Sequence, residues 1–267
     1  MQRQLLLSLT LCAFAAPATA WELAICANPD GAPYSTEDLT GFDNRIVEIL
    51  ADELQAAPRF VWMPDHRLKT AIGFLHRGDC DVIMGVLDGQ SGMLTSHAYY
   101  RTGFVFVTRP GGPEIASLDD ASLASLRIGV AGGARRTTPP GVALARRGLL
   151  SQIRHFGFAA EAAQAESRML DALAEGEIDV AILWGPMGAA FDDGGFVFRR
   201  VLPEIDIPFL PMVASLSVGL RPEDVALRDA LDLALAARWE DVQAVLVDAG
   251  VPLLDLPRPV FGLEAGQ

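Results

Sequence analysis

The sequence is poor in basic residues. Lysine and arginine together number 21 among 267 residues, against 34 aspartates and glutamates, and the formal net charge is −13. A protein that binds nucleic acid neutralises phosphates with clustered basic side chains. The composition therefore argues against a nucleic-acid partner, and it leaves open a solvated acidic surface or a basic protein partner.

Long hydrophobic runs are missing after the first twenty residues, so no membrane span is predicted. The N-terminal stretch has the features of a secretion signal. Arg3 precedes an apolar run from Leu5 to Ala16, and Ala18-Thr19-Ala20 supplies the small residues of a cleavage site. We predict that residues 1–20 are a signal peptide, cleaved near Ala20 and Trp21, and that the mature protein is periplasmic.

Cysteine and histidine are scarce. Of the three cysteines, Cys12 falls inside the signal, which leaves Cys26 and Cys80 as an even pair in an oxidising compartment. We predict a disulfide between them, and the alternative is two inert buried thiols. Two cysteines cannot complete a zinc site, and the four histidines show no ligand spacing. Neither a metal nor a cofactor is therefore predicted.

One pattern occurs twice along the chain. A helix end, a glycine, an acidic residue and an apolar strand follow one another in Arg77–Gly85 and again in Glu175–Gly185. A short apolar strand that runs into a loop precedes each copy, at Leu23–Ala27 and at Leu126–Val130. The duplication predicts two similar α/β lobes of parallel strands, which face each other across a cleft.

Apolar periodicity predicts the elements of each lobe. In the helix after Gly41, Phe42, Ile46 and Leu50 share one face, and Asp43 lies away from it. The predicted strands are Leu23–Ala27, Arg59–Met63, Asp81–Gly85, Arg127–Val130, Ile153–Phe156, Asp179–Leu183 and Phe196–Val201. The other predicted helices are Leu68–Arg77, Pro140–Arg147, Glu166–Glu175, Pro222–Ala237 with Pro222 at its first position, and Glu240–Ala249.

Two β-rich runs, Thr102–Arg109 and Met212–Leu220, are predicted to cross between the lobes. Residues 21–109 and 213–267 then form the first lobe, and residues 110–212 form the second. The two C-terminal helices are expected to pack on the first lobe. Two crossings make a hinge on which the lobes close over a ligand. We expect Arg101, beside the first crossing, to pair with an acidic residue of the other lobe.

Ligands of open α/β lobes bind beyond the carboxyl ends of the strands. The loop Gly132–Thr138 opens onto a helix N-terminus and carries Arg135, which suits an anion; an ordinary exposed loop is the alternative. Adjacent tyrosines of an extended segment point opposite ways, and we expect Tyr99 to face the cleft. Trp184 either stacks on a ligand or forms a wall of the cleft. The predicted cleft residues are Asn28, Asp30, Tyr34, Met84, Asp88, Tyr99, Arg135, Thr137, Thr138 and Trp184.

A series of short motifs spans almost the whole predicted mature chain. They are Cys26-Ala27-x-Pro29, Pro33-Tyr34-Ser35, Gly41-Phe42-x-Asn44-Arg45-Ile46, Gly78-x-Cys80-Asp81-Val82-x-Met84-Gly85-Val86, Tyr99-Tyr100-Arg101, Thr138-Pro139-Pro140, Ala145-Arg146-Arg147-Gly148 and Asp179-Val180-Ala181-x-x-Trp184-Gly185-Pro186. In this order they resemble the family 3 extracellular solute-binding proteins, the amino-acid-binding type. The resemblance is strongest to the branch associated with quinoprotein (PQQ-dependent) methanol dehydrogenases, the J proteins.

The resemblance implies a periplasmic type II fold of two lobes. It also implies a non-enzymatic accessory role in methanol oxidation, in which the protein helps to assemble or activate the PQQ-dependent methanol dehydrogenase. That dehydrogenase is the implied partner, together with its c-type cytochrome. A small-molecule ligand is a further implied partner.

Two departures from the amino-acid-binding pattern bear on that ligand. The relatives carry an arginine, in a Thr-x-x-Arg context, to hold the substrate carboxylate, and Val86–Met93 has no arginine. They also carry an aspartate for the ammonium group where this chain continues from Trp184 into Gly185-Pro186. A free amino acid is therefore not the expected ligand.

Two other functions stay open. The first is a solute receptor of an ABC transporter that binds a small ligand other than an amino acid. The second is a dehydratase-type enzyme derived from this scaffold, which would need a buried cleft carboxylate with a raised pKa. Ser96 and His97 are adjacent, but adjacency gives no triad geometry, and no catalytic residue is predicted.

Overall fold

A computed structural model describes residues 21–260, apart from residues 66, 134–135, 158–162 and 191–193. The predicted signal peptide lies outside the described residues.

The N-terminal part of the chain alternates strands and helices as the pattern predicts. Helix α2 has the predicted bounds, and Gly78 ends it in the left-handed conformation (φ 76°) that favours glycine. The elements are β1 (Trp21–Ala27), β2 (Asp30–Gly31), β3 (Ser35–Thr36), α1 (Phe42–Glu53), β4 (Ala56–Trp62), α2 (Leu68–Arg77), β5 (Val82–Leu87), β6 (Leu94–Thr95) and β7 (Tyr100–Thr108).

The remaining elements repeat this alternation and then return to the first lobe. Short 3-10 helices at Ala121–Ser125 and Leu150–Gln152 interrupt the connections. The elements are β8 (Ile128–Gly133), β9 (Arg136–Thr137), α3 (Pro139–Arg146), β10 (Ile153–Phe156), α4 (Ala163–Ala174), β11 (Val180–Trp184), α5 (Gly185–Ala190), β12 (Val197–Arg200), β13 (Ile205–Asp206), β14 (Leu210–Pro211), β15 (Val213–Leu220), α6 (Val225–Ala237) and α7 (Trp239–Asp248).

Most strands join one continuous sheet, in which successive neighbours are β10-β8-β11-β7-β15-β5-β1-β4, whereas β2 with β3 and β13 with β14 form separate pairs. Strands β4, β1 and β5 are parallel in the first lobe, and β10, β8 and β11 are parallel in the second. Strands β7 and β15 add an antiparallel neighbour to each set and also pair with each other. The predicted fold class, two parallel-sheet lobes joined by two crossover strands, is therefore confirmed.

The passage between the lobes lies in the middle of β7. Its residues Tyr100–Gly103 pair with β15, and its residues Phe104–Val107 pair with β11 of the second lobe. Strand β15 likewise pairs first with β7 and then with β5. The hinge is thus a two-stranded antiparallel ribbon, in which Gly103 lies opposite Val213.

Each lobe has its own apolar core. In the first lobe, Ile46 and Leu50 of α1 and Leu235 and Leu246 of α6 and α7 share one cluster of buried side chains. Burying a side chain of this size stabilises the fold by about 1.5 to 3 kcal/mol. The prediction that the C-terminal helices pack on the first lobe is therefore confirmed. The second lobe has separate clusters on the two faces of its sheet.

The start of α6 differs from the prediction. The helix begins at Val225 rather than at Pro222, because residues 221–224 form a turn in which the Asp224 amide donates to the Arg221 carbonyl. The Arg221 side chain holds this turn through ion pairs with Asp81 and Asp224. Asp232 then fixes α6 to the first lobe by accepting a hydrogen bond of 2.7 Å from the His97 amide.

Cys26 and Cys80 form a disulfide with a Cα–Cα distance of 5.5 Å, as predicted. Cys26 lies in β1, whereas Cys80 lies in the connection before β5 rather than in a strand. Both residues are buried. The bridge therefore ties α2 and its following turn to the centre of the first-lobe sheet.

Gly41 is required for the approach of one loop to α1. The amides of Phe42 and Asp43 donate to the carbonyls of Pro33 and Tyr34, which cap the helix in place of a side chain. A Cβ at Gly41 would lie 2.3 Å from the Tyr34 carbonyl oxygen, a backbone atom.

We expect Gly41→Ala to lower the free energy of unfolding by about 2 kcal/mol, because the loop must move away from the helix. Gly73→Ala is the control. Its new Cβ meets only the flexible end of Arg77, and alanine in the interior of α2 should stabilise by up to about 1 kcal/mol. Urea denaturation of both variants tests the pair, and equal effects of the two substitutions would contradict the assigned role of Gly41.

Candidate functional site

A cavity of about 630 Å³ lies at the carboxyl ends of β1, β4 and β5. Its walls come mainly from the first lobe, including the first turns of α1 and α2, and Met187 of α5 contributes from the second lobe. The cavity therefore occupies the cleft position that the parallel-sheet rule predicts. Four predicted cleft residues line it: Asn28, Asp30, Tyr34 and Met84.

Asp88 lies just beyond this cavity, at the base of the hinge. Its Oδ1 accepts a hydrogen bond from the Ser217 hydroxyl at 3.2 Å, and the Asp88 amide donates to the Ser215 carbonyl. These contacts attach the end of β5 to β15. In the structure, Asp88 therefore supports the crossover strand.

Tyr99 does not face the cleft as expected. Its side chain is fully buried, and its hydroxyl donates a 2.8 Å hydrogen bond to Oδ1 of Asp43. Tyr100 is buried as well, and the two rings pack 4.9 Å apart. Both tyrosines belong to the buried cluster that this segment shares with α1, α6 and α7, and sequence alternation alone does not show this packing.

The predicted anion loop is described only in part. Arg135 lies outside the described residues. Thr137 is in β9, and its hydroxyl lies 3.4 Å from the Ala131 carbonyl, to which it donates. Thr138 is the N-cap of α3, and among the described residues its buried hydroxyl has no hydrogen-bond partner. The anion role of this loop stays a prediction.

Asp43 is the functional candidate that the sequence pattern missed. It was expected on the exposed side of α1, yet it is only 6% exposed and lines the cavity. Burial raises its pKa from the ordinary value of 3.8 to about 7, although the hydrogen bond from Tyr99 favours the charged form. Burial arises because the loop Pro33–Ser35 folds over the first turn of α1.

Tyr34 connects the two lobes. Its ring packs 5.1 Å from Phe42, and Trp184 of the second lobe packs against the same apolar cluster and lowers the pKa of the Tyr34 hydroxyl. Burial raises the pKa of Tyr34 well above its usual range, and the negative charges of Asp43 and Glu166 raise it further. Trp184 itself is half-buried, packs edge-on against Phe104 at 5.1 Å and contacts the first-lobe core.

Glu166 is a second buried acid at this interface. It lies in the first turn of α4, and burial raises its pKa above the ordinary value. Its Oε2 has no hydrogen-bond partner in the described part of the chain. The charge of Glu166 acts on Tyr34 from the second lobe, whereas Asp43 acts on it from the first.

Further contacts hold the lobes at the hinge. Arg101 donates to Glu204 of the second lobe at 2.6 Å, which confirms the predicted pair, and this hydrogen bond lowers the pKa of Glu204. The C-terminal segment runs alongside, where the Thr102 hydroxyl donates to the Pro252 carbonyl and the Leu254 amide donates to the Arg101 carbonyl.

No group of three histidine, cysteine or acidic residues lies close enough to hold a metal ion within the described ranges. Over the same ranges, every helix is too short or too polar to cross a membrane.

Two lobes, a two-stranded hinge and a cavity at the strand ends define the class of two-lobed solute-binding proteins. The search against family models found no match. A sequence comparison found 28% identity over 263 residues with Protein MoxJ of Paracoccus denitrificans, covering 91% of this chain and 93% of that protein.

Two solved structures have the same fold, and one of them is 30% identical. The periplasmic binding protein XoxJ of Methylobacterium extorquens AM1 is 30% identical, with a TM-score of 0.70, and the match covers 88% of this chain and all of XoxJ. MxaJ of Methlophaga aminisulfidivorans MPT is 24% identical, with a TM-score of 0.72, over 87% of this chain and all of MxaJ. The chain belongs to the XoxJ and MoxJ family of periplasmic binding proteins.

Proposed function

We propose that this protein is a non-enzymatic accessory protein of PQQ-dependent methanol oxidation, which contacts the quinoprotein dehydrogenase and helps to assemble or activate it. The observation that carries the proposal is membership of the XoxJ and MoxJ family over almost the whole described chain. The loss of the amino-acid anchors supports it. Export, with removal of residues 1–20 near Ala20 and Trp21, would place the protein in the compartment of a periplasmic partner.

A candidate contact surface lies on the second lobe. The hairpin of β13 and β14 presents Ile207, which is 82% exposed, and Phe209, which is 91% exposed, at its tip. Apolar side chains this exposed mark interaction sites when they are grouped. An aromatic anchor of this kind commonly dominates the energy of a protein interface.

Arginines of α3 and its C-cap hold the base of this hairpin. Arg147 donates to both carboxylate oxygens of Asp206, at 2.9 and 2.8 Å, and Arg146 donates to the Ile207 carbonyl at 2.6 Å. The pKa of Asp206 is lowered mainly by its hydrogen bonds with Arg147, so the pair stays charged. A tip held in this way loses little conformational entropy when it binds a partner.

The test is an affinity pull-down with mature protein, residues 21–267, from periplasmic extract of its host grown on methanol. We expect recovery of a PQQ dehydrogenase, with its c-type cytochrome, identified by mass spectrometry. Phe209→Ser should reduce recovery about tenfold or more, because it removes the exposed anchor. The matched control is Val247→Ser, an apolar residue of the first lobe that is 65% exposed.

The outcomes separate the function from the surface. If wild-type protein recovers no dehydrogenase and does not change the activity or PQQ loading of the purified enzyme, the accessory function is wrong. If both serine variants recover the dehydrogenase as well as wild type does, the dehydrogenase is a partner but the hairpin is not the contact surface.

A solute receptor of an ABC transporter is the second candidate, and the 630 Å³ cavity favours it. A dehydratase-type enzyme would use the buried Asp43 as acid or base, but a buried carboxylate equally suits the binding of a ligand. Lobe closure on a small ligand, measured by small-angle scattering, distinguishes the receptor from a protein that acts only through its surface.

A further inference from the structure

The described lining of the cavity carries charge of one sign. Asp30, Asp43 and Asp65 contribute carboxylates, and the described lining residues include no lysine, arginine or histidine. Asp30 is exposed and Asp65 is half-buried, whereas Asp43 is buried. These carboxylates repel an anionic ligand and attract a cationic one.

Asp43 has one carboxylate oxygen left for a ligand. Oδ1 accepts the hydrogen bond from Tyr99, while Oδ2 has no hydrogen-bond partner among the described residues. The space beside Oδ2 is open because Gly85 has no side chain. A Cβ at this position would lie 3.5 Å from Oδ2, in van der Waals contact with it. Gly85 also lines the cavity. A buried carboxylate with a free oxygen toward a cavity is a ready acceptor for an N–H⁺ donor.

The rest of the cavity suits hydrocarbon. Met63, Met84 and Met187 are polarizable and adaptable, and Leu68 and Ala71 add aliphatic surface. Tyr34 supplies an aromatic ring, which attracts a cation through its π face. A volume of about 630 Å³ lies within the range of small-molecule sites.

The second lobe adds a further negative group at the interface. The charge of Glu166 raises the pKa of Tyr34, and its Oε2 lacks a hydrogen-bond partner among the described residues. A cation bound beside Tyr34 would therefore be attracted by Glu166 as well as by Asp43.

We propose that the cavity binds a small organic ammonium ion, whose charge pairs with Asp43 and whose hydrocarbon body contacts the methionines. The proposal does not depend on the contact with a dehydrogenase. It also differs from recognition of a free amino acid, since the ligand needs no carboxylate.

The test is titration calorimetry of the mature protein with three probes that are cationic at pH 8: n-butylamine, cyclohexylamine and 1,4-diaminobutane. n-Butanol and butyrate are the neutral and anionic counterparts. We expect at least one amine to bind, and the alcohol and the acid to bind much more weakly. No amine binding at about 10 mM, or butyrate binding as tightly as the amines, would overturn the proposal. The comparison on wild-type protein needs no variant.

Asp43→Asn tests the role of the carboxylate. It preserves shape and still accepts from Tyr99, and we expect the affinity for the amine to fall by about 30-fold with the loss of a charge-assisted hydrogen bond. Glu48→Gln is the matched control, because it removes the same charge from an exposed position of α1. Equal affinities of wild type and Asp43→Asn would also overturn the proposal.

Proton release is an independent readout. Amines favour the ionised carboxylate, so their affinity should increase as the pH rises through about 7, the pKa of Asp43. The other titratable groups near Asp43 are Tyr34, Tyr99 and Tyr100, the cavity carboxylates of Asp30 and Asp65, and Glu166, whose charge acts on Tyr34. The tyrosines stay neutral in this range, since burial raises the pKa of each of them. The Glu166→Gln variant shows how much of the pH dependence comes from a proton that Glu166 releases. An amine affinity that does not change between about pH 5 and about pH 8 would contradict the assignment of Asp43.

Discussion

Removal of the Cys26–Cys80 disulfide should lower the free energy of unfolding by about 4 kcal/mol. The bridge joins residues 54 positions apart. Closing a loop of that length restricts the unfolded chain by about this amount in the loop-entropy treatment. The measurement is urea denaturation of the mature Cys26→Ala/Cys80→Ala variant against oxidised wild type. Alanine suits both positions because both side chains are buried.

Reduced wild type provides the control for this experiment. It keeps both sulfur atoms and loses only the covalent bond, so it should be destabilised nearly as much as the double variant. If the double variant loses less than about 1 kcal/mol, the loop-entropy argument fails for this protein. If reduction has no effect while the variant is unstable, packing at Cys26 and Cys80 matters rather than the bond.

Asp43→Asn should make the protein more stable than wild type above pH 8, and the difference should disappear below pH 4. The pKa of Asp43 is about 7 in the folded protein and 3.8 as its ordinary value. A raised carboxyl pKa stabilises the folded state at low pH, and this contribution is lost as the pH rises through 7. The ionised carboxylate then costs at most about 4 kcal/mol, at 1.36 kcal/mol for each unit of pKa.

The measurement is the difference in unfolding free energy between wild type and Asp43→Asn, from about pH 3 to about pH 9. Subtracting the two curves removes the contribution of every other titrating group. Parallel curves would show that Asp43 titrates near its ordinary pKa and is not held in an apolar site. The ligand must be absent, because a bound ammonium ion would stabilise the ionised form.

Local sequence patterns were enough to predict how the two lobes are organised. The repeated sequence Arg77–Gly85 and Glu175–Gly185 predicted the turns before β5 and β11, because a glycine ends each helix and a buried strand follows. The rule that ligands bind at the carboxyl ends of parallel strands predicted the positions of Asn28, Tyr34 and Met84, which line the cavity; their role in binding stays a prediction. These features depend on neighbours within about ten residues along the chain.

The environment of Asp43 and Tyr99 could not be predicted in this way. Helical periodicity separates the faces of α1, but it does not show that the loop Pro33–Ser35 covers the first turn. The hydrogen bond between Asp43 and Tyr99 joins residues 56 positions apart. Met187 and Glu166 reach the first lobe only because the hinge sets the position of the second. Sites made by such distant segments need the structure.

The hinge ribbon also bears on the order in which the protein folds. Because Gly103 pairs with Val213, the chain leaves and re-enters the first lobe at neighbouring positions, and the second lobe is one uninterrupted segment. The first lobe stays incomplete until β15, α6 and α7 have emerged, and until then β5 has an unpaired edge that is open to wrong partners. All strands of the second lobe therefore emerge before the first lobe can be completed. At that stage the disulfide can already join β1 to the segment before β5. We expect the C-terminal segment, the last to emerge, to decide when the first lobe reaches its native state.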